Sequence, residues 1–465
     1  MKLELVDPVF VDLRQAVAET GCSAWAVGGY VRDLVLGRPS TDLDIVVEGG
    51  RGMEMAVHFS ERSGSHPAVV FPRFGTAKAS WGDRSIEFVS ARSESYQSGS
   101  RKPEVQNASV EEDLRRRDFT INALLMTLDG VVEDRLGTSL SDLEQGILRC
   151  PTDPDETFAD DPLRMLRAVR FAAQLGFTMH ESVHEGIKRN LHRLRPVEES
   201  GEGVLSWERI RDEVKKLLAS PRPALGLRLM AQTGLLGIVL PELAQCMGVE
   251  QNRWHKADVF EHTLEVVGGV EPDLVLRLAA MFHDVGKPSV RTMGEDGQYH
   301  FYKHEDLSAG MAETAMRRLR FSNDEVEAVR RLCALHMRPV GYTERWSDGS
   351  VRKFVREAGG QLELLLALAA SDLASGAMPE RSHLQDLVAR AAQVQAEEPE
   401  RLSFRPDGAD IMRELHLRPS VEVGRVKKEL EAAILEGTLN PTREAVVERL
   451  HSMAAEVEES GMASL

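Results

Sequence analysis

Strand-like patterns occur only in the first part of this chain, and helical patterns dominate the remainder. Acidic and apolar residues alternate at period two in TDLDIVVEG (41–49), as expected for a half-exposed strand. Two more strands are predicted in 69–81 and 84–95. From Asp155 onward the periodicity is that of amphipathic helices, most clearly in DDPLRMLRAVRFAAQLGF (160–177). The sequence therefore predicts an α+β protein, with a small mixed-sheet head followed by an elongated, mostly α-helical remainder.

The length of the chain predicts several structural units. A chain of 465 residues exceeds the size of a single hydrophobic core. We predict a head (1–145), a helical neck (146–250), a third region (251–395) and a helical tail (396–465). Two polar stretches, 196–206 and 395–408, are interpreted as connecting segments.

The formal net charge of −17 excludes a uniformly basic surface. It does not exclude RNA binding, because phosphate contacts need only a local basic patch. The candidate patches are Arg115–Arg117, Arg164 with Arg167 and Arg170, and Lys188–Arg195. Each of them alone is better explained as a solvated helix face. No apolar run is long enough to cross a bilayer, the first residues lack a signal-peptide pattern, and the four cysteines are scattered. These features favour a cytoplasmic protein without a membrane partner.

A Gly-Gly pair lies between a predicted strand and a predicted helix. At Gly28 and Gly29 the backbone can approach a phosphate closely, and the N–H groups at the start of the helix favour anions. Arg32 and Asp33 follow on the first turn of that helix. The pair is therefore a candidate phosphate-binding element, with Arg32 able to reach a phosphate or a sugar.

Asp42 and Asp44 are two residues apart on a predicted strand, so both carboxylates should project from one face. Such a pair can hold two Mg²⁺ ions between an incoming triphosphate and an attacking hydroxyl. Glu87, on a later predicted strand, is the candidate third ligand, although an outward-facing strand residue is nearly as good an interpretation. A DxD pair alone is weak evidence, but a preceding Gly-Gly turn at this spacing is far more specific.

Five segments follow one another as they do in class II tRNA nucleotidyltransferases (CCA-adding enzymes) of the DNA polymerase β superfamily. They are VGGYVRDLVLGRPSTDLDIVV, RFGTAKA, RRRDFTINALLM, DDPLRMLRAVRFAAQLGF and SWERIRDE. The resemblance covers essentially the whole chain. It implies a nucleotidyltransferase head that uses CTP and ATP, with Mg²⁺, to add CMP and AMP to the 3′ end of tRNA without a nucleic-acid template.

The resemblance also assigns residues to the nucleotide. It implies that Arg117, Asp118 and Asn122 contact the sugar and phosphates, with RRD opening a helix. Asp161 and Arg164, i and i+3 on one predicted helix, would read the base together. A carboxylate accepts from the amine of C or A and repels the carbonyl of U or G, while a guanidinium donates to the adjacent ring nitrogen. Alone, this segment would be read as a helix salt bridge.

Neighbouring segments complete that assignment. Arg167 and Arg170 are assigned to nucleotide binding with Arg164, and Asp160 stands where the family usually has Glu. Arg209 and its neighbours in WERIRDE match a segment to which we assign a structural role. The polar stretch 92–114 is predicted to be a mobile loop, which in the family helps to switch specificity from C to A. Its full length favours complete CCA addition or addition of the terminal A.

The region 251–395 contains histidines and aspartates in the order H…HD…H…H…D, a pattern that resembles the HD phosphohydrolase domain. Imidazole and carboxylate groups suit a transition metal. A lone buried histidine is usually a satisfied core residue, but six such groups in this order are not explained that way. The resemblance implies that His262, His283, Asp284 and Asp372 bind a divalent transition metal or Mg²⁺. It further implies that Lys287, His304 and His336 contact substrate phosphate or a second metal, in a phosphatase or 2′,3′-cyclic phosphodiesterase.

Several alternatives stay open from the sequence. The chain could add only the terminal A beside a separate CC-adding enzyme, or be a poly(A) polymerase, although RFGTAKA lacks the basic, histidine-containing pattern of that class. A different class of function is an HD hydrolase or RNA-binding protein with an inactive polymerase head. The tail either supports tRNA binding or forms a packing or dimer contact, and the oligomeric state is not predicted.

Overall fold

The computed structural model describes residues 1–95, 104–194, 205–251, 257–376, 382–403 and 406–462. The chain forms two compact units. The first comprises Met1–Ala244 with Arg318–Arg320, and the second comprises Gln245–Arg317 with Phe321–Leu465. The α+β class predicted from the sequence is confirmed, since strands and helices share the first unit and the second is almost entirely helical.

The first unit is built on a seven-stranded mixed sheet of order β3-β4-β5-β2-β1-β8-β9. Its strands are β1 (Ala24–Val27), β2 (Leu43–Val47), β3 (Val69–Phe71), β4 (Thr76–Trp81), β5 (Arg84–Ser90), β8 (Leu125–Thr127) and β9 (Val132–Glu133). The unit also contains an antiparallel pair, β6 (Arg92–Ser95) with β7 (Glu104–Asn107), and a parallel pair, β10 (Ile147–Leu148) with β11 (Thr178–Met179). Only β2 and β5 run parallel within the large sheet. This parallel pair brings the middle of β2 beside the middle of β5.

Helices cover the sheet and continue beyond it. They are α1 (Val9–Thr20), α2 (Gly29–Val35), α3 (Gly52–Ser63), α4 (Val110–Arg115), α5 (Ser139–Gln145), α6 (Pro154–Asp160), α7 (Leu163–Leu175), α8 (Glu181–Asn190), α9 (Trp207–Leu218), α10 (Pro223–Thr233), α11 (Leu235–Val239) and α12 (Pro241–Ala244). Helix α3 packs on the sheet, with the Phe59 and Phe88 rings 5.5 Å apart, and α7 packs against α9 and α10. The buried side of α7 ends at Gly176, a left-handed residue that closes the helix.

The second unit is a helical assembly with one short hairpin. Its elements are α13 (Val259–Gly269), α14 (Leu274–Phe282), α15 (Lys287–Val290), β12 (Thr292–Met293), β13 (Tyr299–His300), α16 (His304–Arg318), α17 (Asn323–Leu335), α18 (Met337–Val340), α19 (Asp348–Ala358), α20 (Leu362–Ser375), α21 (Ser382–Ser403), α22 (Gly408–Glu414), α23 (Val421–Glu436) and α24 (Arg443–Met462). Helix α14 packs against α13, α17 and α20. None of the described helices is both long enough and apolar enough to span a bilayer.

Two predicted helices of the first unit differ from the structure. RRD does not open a helix: α4 ends at Arg115, and Thr120–Asn122 forms only a single 3₁₀ turn. The Asp118 carboxylate accepts from the Phe119 N–H and the Asn122 amide, which bends the chain locally before β8. Asp161 and Arg164 are not on one helix either. Asp161 is extended (φ −145°) because Pro162 follows it, and a residue before proline disfavours the helical region.

Of the three segments predicted as loops or connectors, two contain regular secondary structure and the third lies mostly outside the described residues. The stretch 395–408 is not a simple connector, because α21 continues to Ser403 although the stretch contains Pro399, a residue that disfavours a helix interior. The stretch 92–114 is not one continuous loop, because it contains β6, β7 and the start of α4, and residues 96–103 lie outside the described part. The connecting segment 196–206 also lies mostly outside it.

Candidate functional site

A cavity of about 1040 Å³ opens in the first unit and gathers the residues that the sequence assigned to nucleotide chemistry, except Asp33, which does not line it and instead pairs with Arg32. Cationic side chains outnumber carboxylates in its wall. The cations are Arg32, Arg38, Arg116, Arg117, Arg164, Arg167, Arg170, Arg209 and Lys216, and the acids are Asp42, Asp44, Glu87, Asp118 and Asp161. The cavity is therefore suited to a polyanion although the whole chain is acidic.

Three carboxylates occupy one side of this cavity. Asp44 on β2 is the direct neighbour of Glu87 on the parallel strand β5, and Asp42 immediately precedes β2. Burial raises the pKa of Asp44 to about 7; Arg117 opposes this shift, and Asp42 and Glu87 add to it. A bound cation would relieve this accumulation of negative charge. Glu87 also contacts Lys78, with 3.5 Å between carboxylate and ammonium.

The three carboxylates are not closed around one point. Among the described residues, groups of three or more histidines, cysteines, aspartates or glutamates whose ligand atoms all lie within 4.8 Å of one another occur only in the second unit. The roles of Asp42, Asp44 and Glu87 as metal ligands therefore stay proposals that rest on their shared cavity and on the charge state of Asp44.

Gly28, which has no side chain, leaves room for the guanidinium of Arg117 at the start of α2. Its φ of 80° is a left-handed value that glycine adopts without strain, and a Cβ there would lie 3.2 Å from a terminal nitrogen of Arg117 and 3.5 Å from an Asp44 oxygen. Arg117 is fixed from behind by the buried carboxylate of Asp113, 3.1 Å away. Asp113 was not predicted from the sequence, although its i, i+4 spacing from Arg117 is a signal that could have found it.

A chain of hydrogen bonds holds the next arginines in place. Arg32 donates to both carboxylate oxygens of Asp33 at 2.9 Å and to the side-chain oxygen of Asn122 at 2.7 Å. Asn122 donates to Asp118, which in turn accepts two bonds from Arg167, at 2.8 and 2.5 Å. Burial alone would raise the pKa of Asp118, but Arg167 and Asn122 hold it below its usual value. The carboxylate is therefore ionised and acts as an anchor for Arg167.

Phe171 lies at the centre of three of these arginines. The guanidinium carbons of Arg170, Arg32 and Arg167 are 3.8, 5.2 and 5.4 Å from the centre of its ring. Phe119 meets the same ring edge-on at 5.8 Å. The ring faces attract the cations and so offset part of their mutual repulsion. Phe171 was not predicted from the sequence, because an aromatic residue on an amphipathic helix ordinarily belongs to the core.

Arg170 is buried against a partner from another helix. Its Nε donates to Glu213 of α9 at 2.6 Å, and the Glu213 side chain is likewise buried. Arg170 thus ties α7 to α9 behind the cavity wall, while it also stacks on the phenylalanine. Glu213 was not predicted, since nothing local in the sequence marks its distance from α7.

Asp161 and Arg164 both line the cavity, but they do not pair with each other. The Asp161 carboxylate accepts from Arg209 of α9 at 2.8 Å and from the Leu163 N–H at 3.1 Å. Arg164 donates to the carbonyl oxygen of Thr157 at 3.2 Å and lies 3.8 Å from Asp160. The simple helix salt bridge between Asp161 and Arg164 is therefore not what the structure contains.

The second unit contains a compact cluster made of all six predicted histidines and aspartates. The Asp284 carboxylate is the common point: the Nε2 atoms of His283, His262 and His304 lie 3.1, 3.3 and 3.2 Å from its oxygens, and that of His336 lies at 3.7 Å. Asp372 lies 3.1 Å from the Nε2 of His262. The Lys287 ammonium is 2.6 Å from Asp284 and 2.8 Å from the Gln251 side-chain oxygen.

Each imidazole in this cluster is oriented by its other ring nitrogen. The Nδ1 atoms of His283, His304 and His336 are 2.7–2.8 Å from the carbonyl oxygens of Ala280, Phe301 and Cys333. The Nδ1 of His262 is 3.0 Å from the Ser375 hydroxyl. A proton held on Nδ1 directs the Nε2 lone pair inward, which is how metal-binding histidines are arranged.

The cluster passes a chemical test for a divalent cation. The Nε2 of His283 is buried and makes no hydrogen bond of normal geometry within the described ranges. Burial lowers the pKa of His336 to about 3, so its ring is neutral at physiological pH, the state that binds metals. Burial would raise the pKa of Asp284, but His283 and Lys287 hold it well below its usual value. Burial opposes the charged form of His262, but Asp284 and Asp372 raise its pKa to about 9, so a metal ion would replace a proton on that ring. Imidazole nitrogens and carboxylates converge on one buried point, which fits a metal ion.

The geometry agrees with comparisons to known proteins. Models of three families match: "Poly A polymerase head domain" over 24–149, "Probable RNA and SrmB- binding site of polymerase A" over 176–247, and "HD domain" over 259–445. A CC-adding tRNA nucleotidyltransferase of Thermus thermophilus is 34% identical over 91% of this chain and 92% of its own length. The chain belongs to the tRNA nucleotidyltransferase family. It is a nucleotidyltransferase, and the head and HD families are both metal-dependent.

Other relatives of this tRNA nucleotidyltransferase differ in their products. An A-adding tRNA nucleotidyltransferase of Deinococcus radiodurans is 32% identical over 72% of this chain and 78% of its own length. Among solved structures, the CCA-adding enzyme of Bacillus stearothermophilus in complex with CTP superposes with a TM-score of 0.65 at 22% identity, over 98% of this chain and 100% of that one. At this identity the likeness establishes the fold.

Proposed function

We propose that this chain adds CMP and AMP to the 3′ end of tRNA, using CTP and ATP, and so completes or repairs the CCA terminus. The observation that carries the proposal is the single cavity that unites the Gly28 turn, three carboxylates and the Asp161–Arg164 segment. The relatives described as CC-adding, A-adding and CCA-adding enzymes support it. They do not favour a poly(A) polymerase or an inactive head.

In this proposal the cationic wall of the cavity receives the triphosphate. Three arginines orient the phosphates beside Gly28. Arg117 is held by Asp113, Arg32 by Asp33, and Arg167 by Asp118. Asp42 and Asp44, with Glu87 as a possible third ligand, hold Mg²⁺. Magnesium bound there supplies charge neutralisation for in-line phosphoryl transfer.

Base choice in this proposal depends on an exchange of partners. Asp161 accepts from the exocyclic amine of cytosine or adenine in place of Arg209, and Arg164 donates to the adjacent ring nitrogen in place of Thr157. Uracil and guanine present a carbonyl at that position and leave Asp161 facing another acceptor. Arg209 pairs with this carboxylate until a nucleotide base replaces it.

Product length on three tRNA substrates tests the function. Transcripts ending before CCA, after C and after CC are incubated with CTP, ATP or both, and the products are resolved on a sequencing gel. We expect the first transcript to gain three nucleotides, the second two and the third one. A product that stops at CC, or extension of the third transcript only, would assign a restricted enzyme. A long tail on unrelated RNA would contradict the tRNA assignment.

Phe171→Leu should weaken nucleotide binding without changing base choice. Leucine fills much of the same volume but has no ring to attract Arg32, Arg167 and Arg170, a contribution of about 2 kcal/mol in a desolvated site. We expect KM for CTP and for ATP to rise together, by roughly tenfold or more, with a smaller change in kcat. Steady-state kinetics with each nucleotide measure this.

The matched control is Phe59→Leu. Phe59 is equally buried in the first unit but packs between α3 and the sheet, away from the cavity wall. It should lower the thermal midpoint and leave both KM values unchanged. Equal KM changes in the two variants would show that Phe171 acts only through stability.

The cluster around Asp284 favours a second activity. We propose that His262, His283, Asp284 and Asp372 hold a divalent transition metal, and that His304, His336 and Lys287 contact a substrate phosphate or a second ion. Such a centre hydrolyses phosphate esters, and 2′,3′-cyclic phosphates at damaged RNA ends are the proposed substrates. The supporting observation is the convergence of four Nε2 atoms on one buried carboxylate.

Metal analysis and hydrolysis test this second proposal. Purified protein should contain about one or two equivalents of transition metal and release 2′- or 3′-AMP from 2′,3′-cyclic AMP. Dialysis against a chelator should abolish the release, and adding back single metals should identify the active one. Protein that stays metal-free and inactive with every divalent ion supplied would exclude the hydrolase.

The cytoplasmic location predicted from the sequence is part of the proposal, because tRNA is the substrate.

A further inference from the structure

An exposed aromatic residue, Tyr302, lies two positions before His304, a member of the metal-ligand cluster of the second unit. The carbonyl oxygen of Phe301 is 2.8 Å from the Nδ1 of His304, and the Phe301 ring centre is 5.5 Å from the Lys287 ammonium. Lys287 itself contacts Asp284. Phe301 therefore belongs to the wall of the cluster, and Tyr302 is the next residue along the chain.

The backbone turns Tyr302 outward at this point. Lys303 has a φ of 60°, a left-handed value that is costly for a residue with a Cβ. Across this turn the chain passes from the half-buried Phe301 to the buried His304, and Tyr302 between them is 72% exposed. A large aromatic side chain left this open next to a buried polar centre is not explained by packing of the second unit.

Tyr302 is not isolated, because it extends a small aromatic surface. Its ring is parallel to that of His300, with an interplanar angle of 4° and centroids 5.4 Å apart. His300 on β13 is held by Asp296, 3.1 Å from its Nε2, and the pairing of β13 with β12 fixes the strand. On the same hairpin, Arg291 lies 4.7 Å from the centre of the Tyr299 ring. The two stacked rings thus have a defined orientation before any ligand binds.

Parallel aromatic rings that end in solvent are the feature on which nucleic-acid bases stack. Stacking accepts any base, because each has a π-face, and it needs no hydrogen-bond code. The neighbouring metal-ligand cluster is suited to a phosphate group. One nucleotide, which joins a base to a phosphate through a single sugar, matches a stacking surface and a phosphate site that lie this close along the chain.

We propose that Tyr302 and His300 form a base-stacking surface for the metal centre of the second unit, so that its substrates are nucleotides or RNA ends. The inference rests on the hydrolase activity proposed above and assigns to these two residues the binding of the base in its nucleotide substrate. A phosphate ester without a base occupies the metal centre alone and gains nothing from the two rings.

Two cyclic phosphodiesters separate stacking from chemistry. Hydrolysis of 2′,3′-cyclic AMP and of glycerol 1,2-cyclic phosphate, which has no aromatic group, is followed by phosphorus NMR in the metal-loaded full-length protein. Tyr302→Ala should raise KM for the nucleotide about tenfold and leave the base-free substrate unchanged. Tyr302→Phe should retain the wild-type preference. Met293→Ala, an exposed residue of the same hairpin, is the matched control and should change neither substrate.

The outcomes are distinct for the two proposals. Equal effects of Tyr302→Ala on both substrates, or no effect on either, would overturn the stacking surface and leave the hydrolase intact. A wild-type protein that hydrolyses neither substrate would overturn the hydrolase. In that case the surface is judged by titration with AMP, where identical affinities of wild type and Tyr302→Ala would overturn it as well.

Discussion

Replacing Asp42 and Asp44 together with asparagine should abolish nucleotide addition, with kcat falling by roughly three orders of magnitude or more. Asparagine keeps the shape of both side chains and removes the charges that we propose hold Mg²⁺ beside Gly28. Single-turnover incorporation of labelled CMP and AMP into tRNA measures the loss. Retained turnover would contradict the assignment of these two residues as the catalytic acids.

The stability of this variant has an expected sign. Burial raises the pKa of Asp44 from 3.8 to about 7, so in metal-free protein this carboxyl costs folding free energy that grows between these two pH values and is fully present above the higher one. Removing the charge should therefore leave the thermal midpoint at pH 8 unchanged or higher, and lost activity cannot be attributed to unfolding. Glu54→Gln on α3, an exposed acid outside the cavity wall, is the matched control and should keep full activity.

The second large effect is expected at the cluster of the second unit. His283→Ala combined with Asp284→Ala should remove bound metal and reduce hydrolysis of 2′,3′-cyclic AMP to background, because Asp284 is the point on which the other ligands converge. Nucleotide addition to tRNA should stay within about twofold of wild type, since none of its proposed groups lies in this cluster. Metal content and both activities are measured on one preparation.

The design needs a guard against unfolding. Asp284→Ala leaves the Lys287 ammonium buried without its carboxylate, which is strongly destabilising. His283→Ala alone avoids this cost and should still remove most of the hydrolysis. His451→Ala, an exposed histidine of the same unit, is the matched control. If addition and hydrolysis fall together in His283→Ala, the proposed division of labour between the two sites is wrong.

Local sequence patterns predicted the parts of the head that depend on local structure. The Gly28 turn and the β2 acids follow from residues a few positions apart, and the structure places them in one cavity. Glu87 followed from the strand pattern, but its register beside Asp44 depends on the parallel pairing of β2 with β5, which periodicity does not specify. A single proline explains the wrong helix at Asp161.

Contacts made by tertiary packing were out of reach. Glu213 meets Arg170 across 43 residues, and Arg209 meets Asp161 across 48, and both pairs depend on how α9 packs against α7. Phe171 looks like any apolar residue of α7 until Arg32 is brought over its ring. In the second unit the order of histidines and aspartates predicted the cluster. The carbonyl acceptors of the His283 and His336 Nδ1 atoms lie only three residues earlier in the chain, so they are local contacts that the sequence could have suggested.

Those Nδ1 acceptors have a practical consequence. Three are main-chain oxygens of the residue three positions before the histidine, so the imidazoles are oriented by the polypeptide itself rather than by an ion. Loss of an ion from such a centre should not unfold the unit, and another ion can bind without a refolding step. We therefore expect metal removal from the second unit, and reloading with another metal, to be reversible. The same batch of protein can be stripped and reloaded with each candidate ion in turn, and differences in rate then report the ion alone.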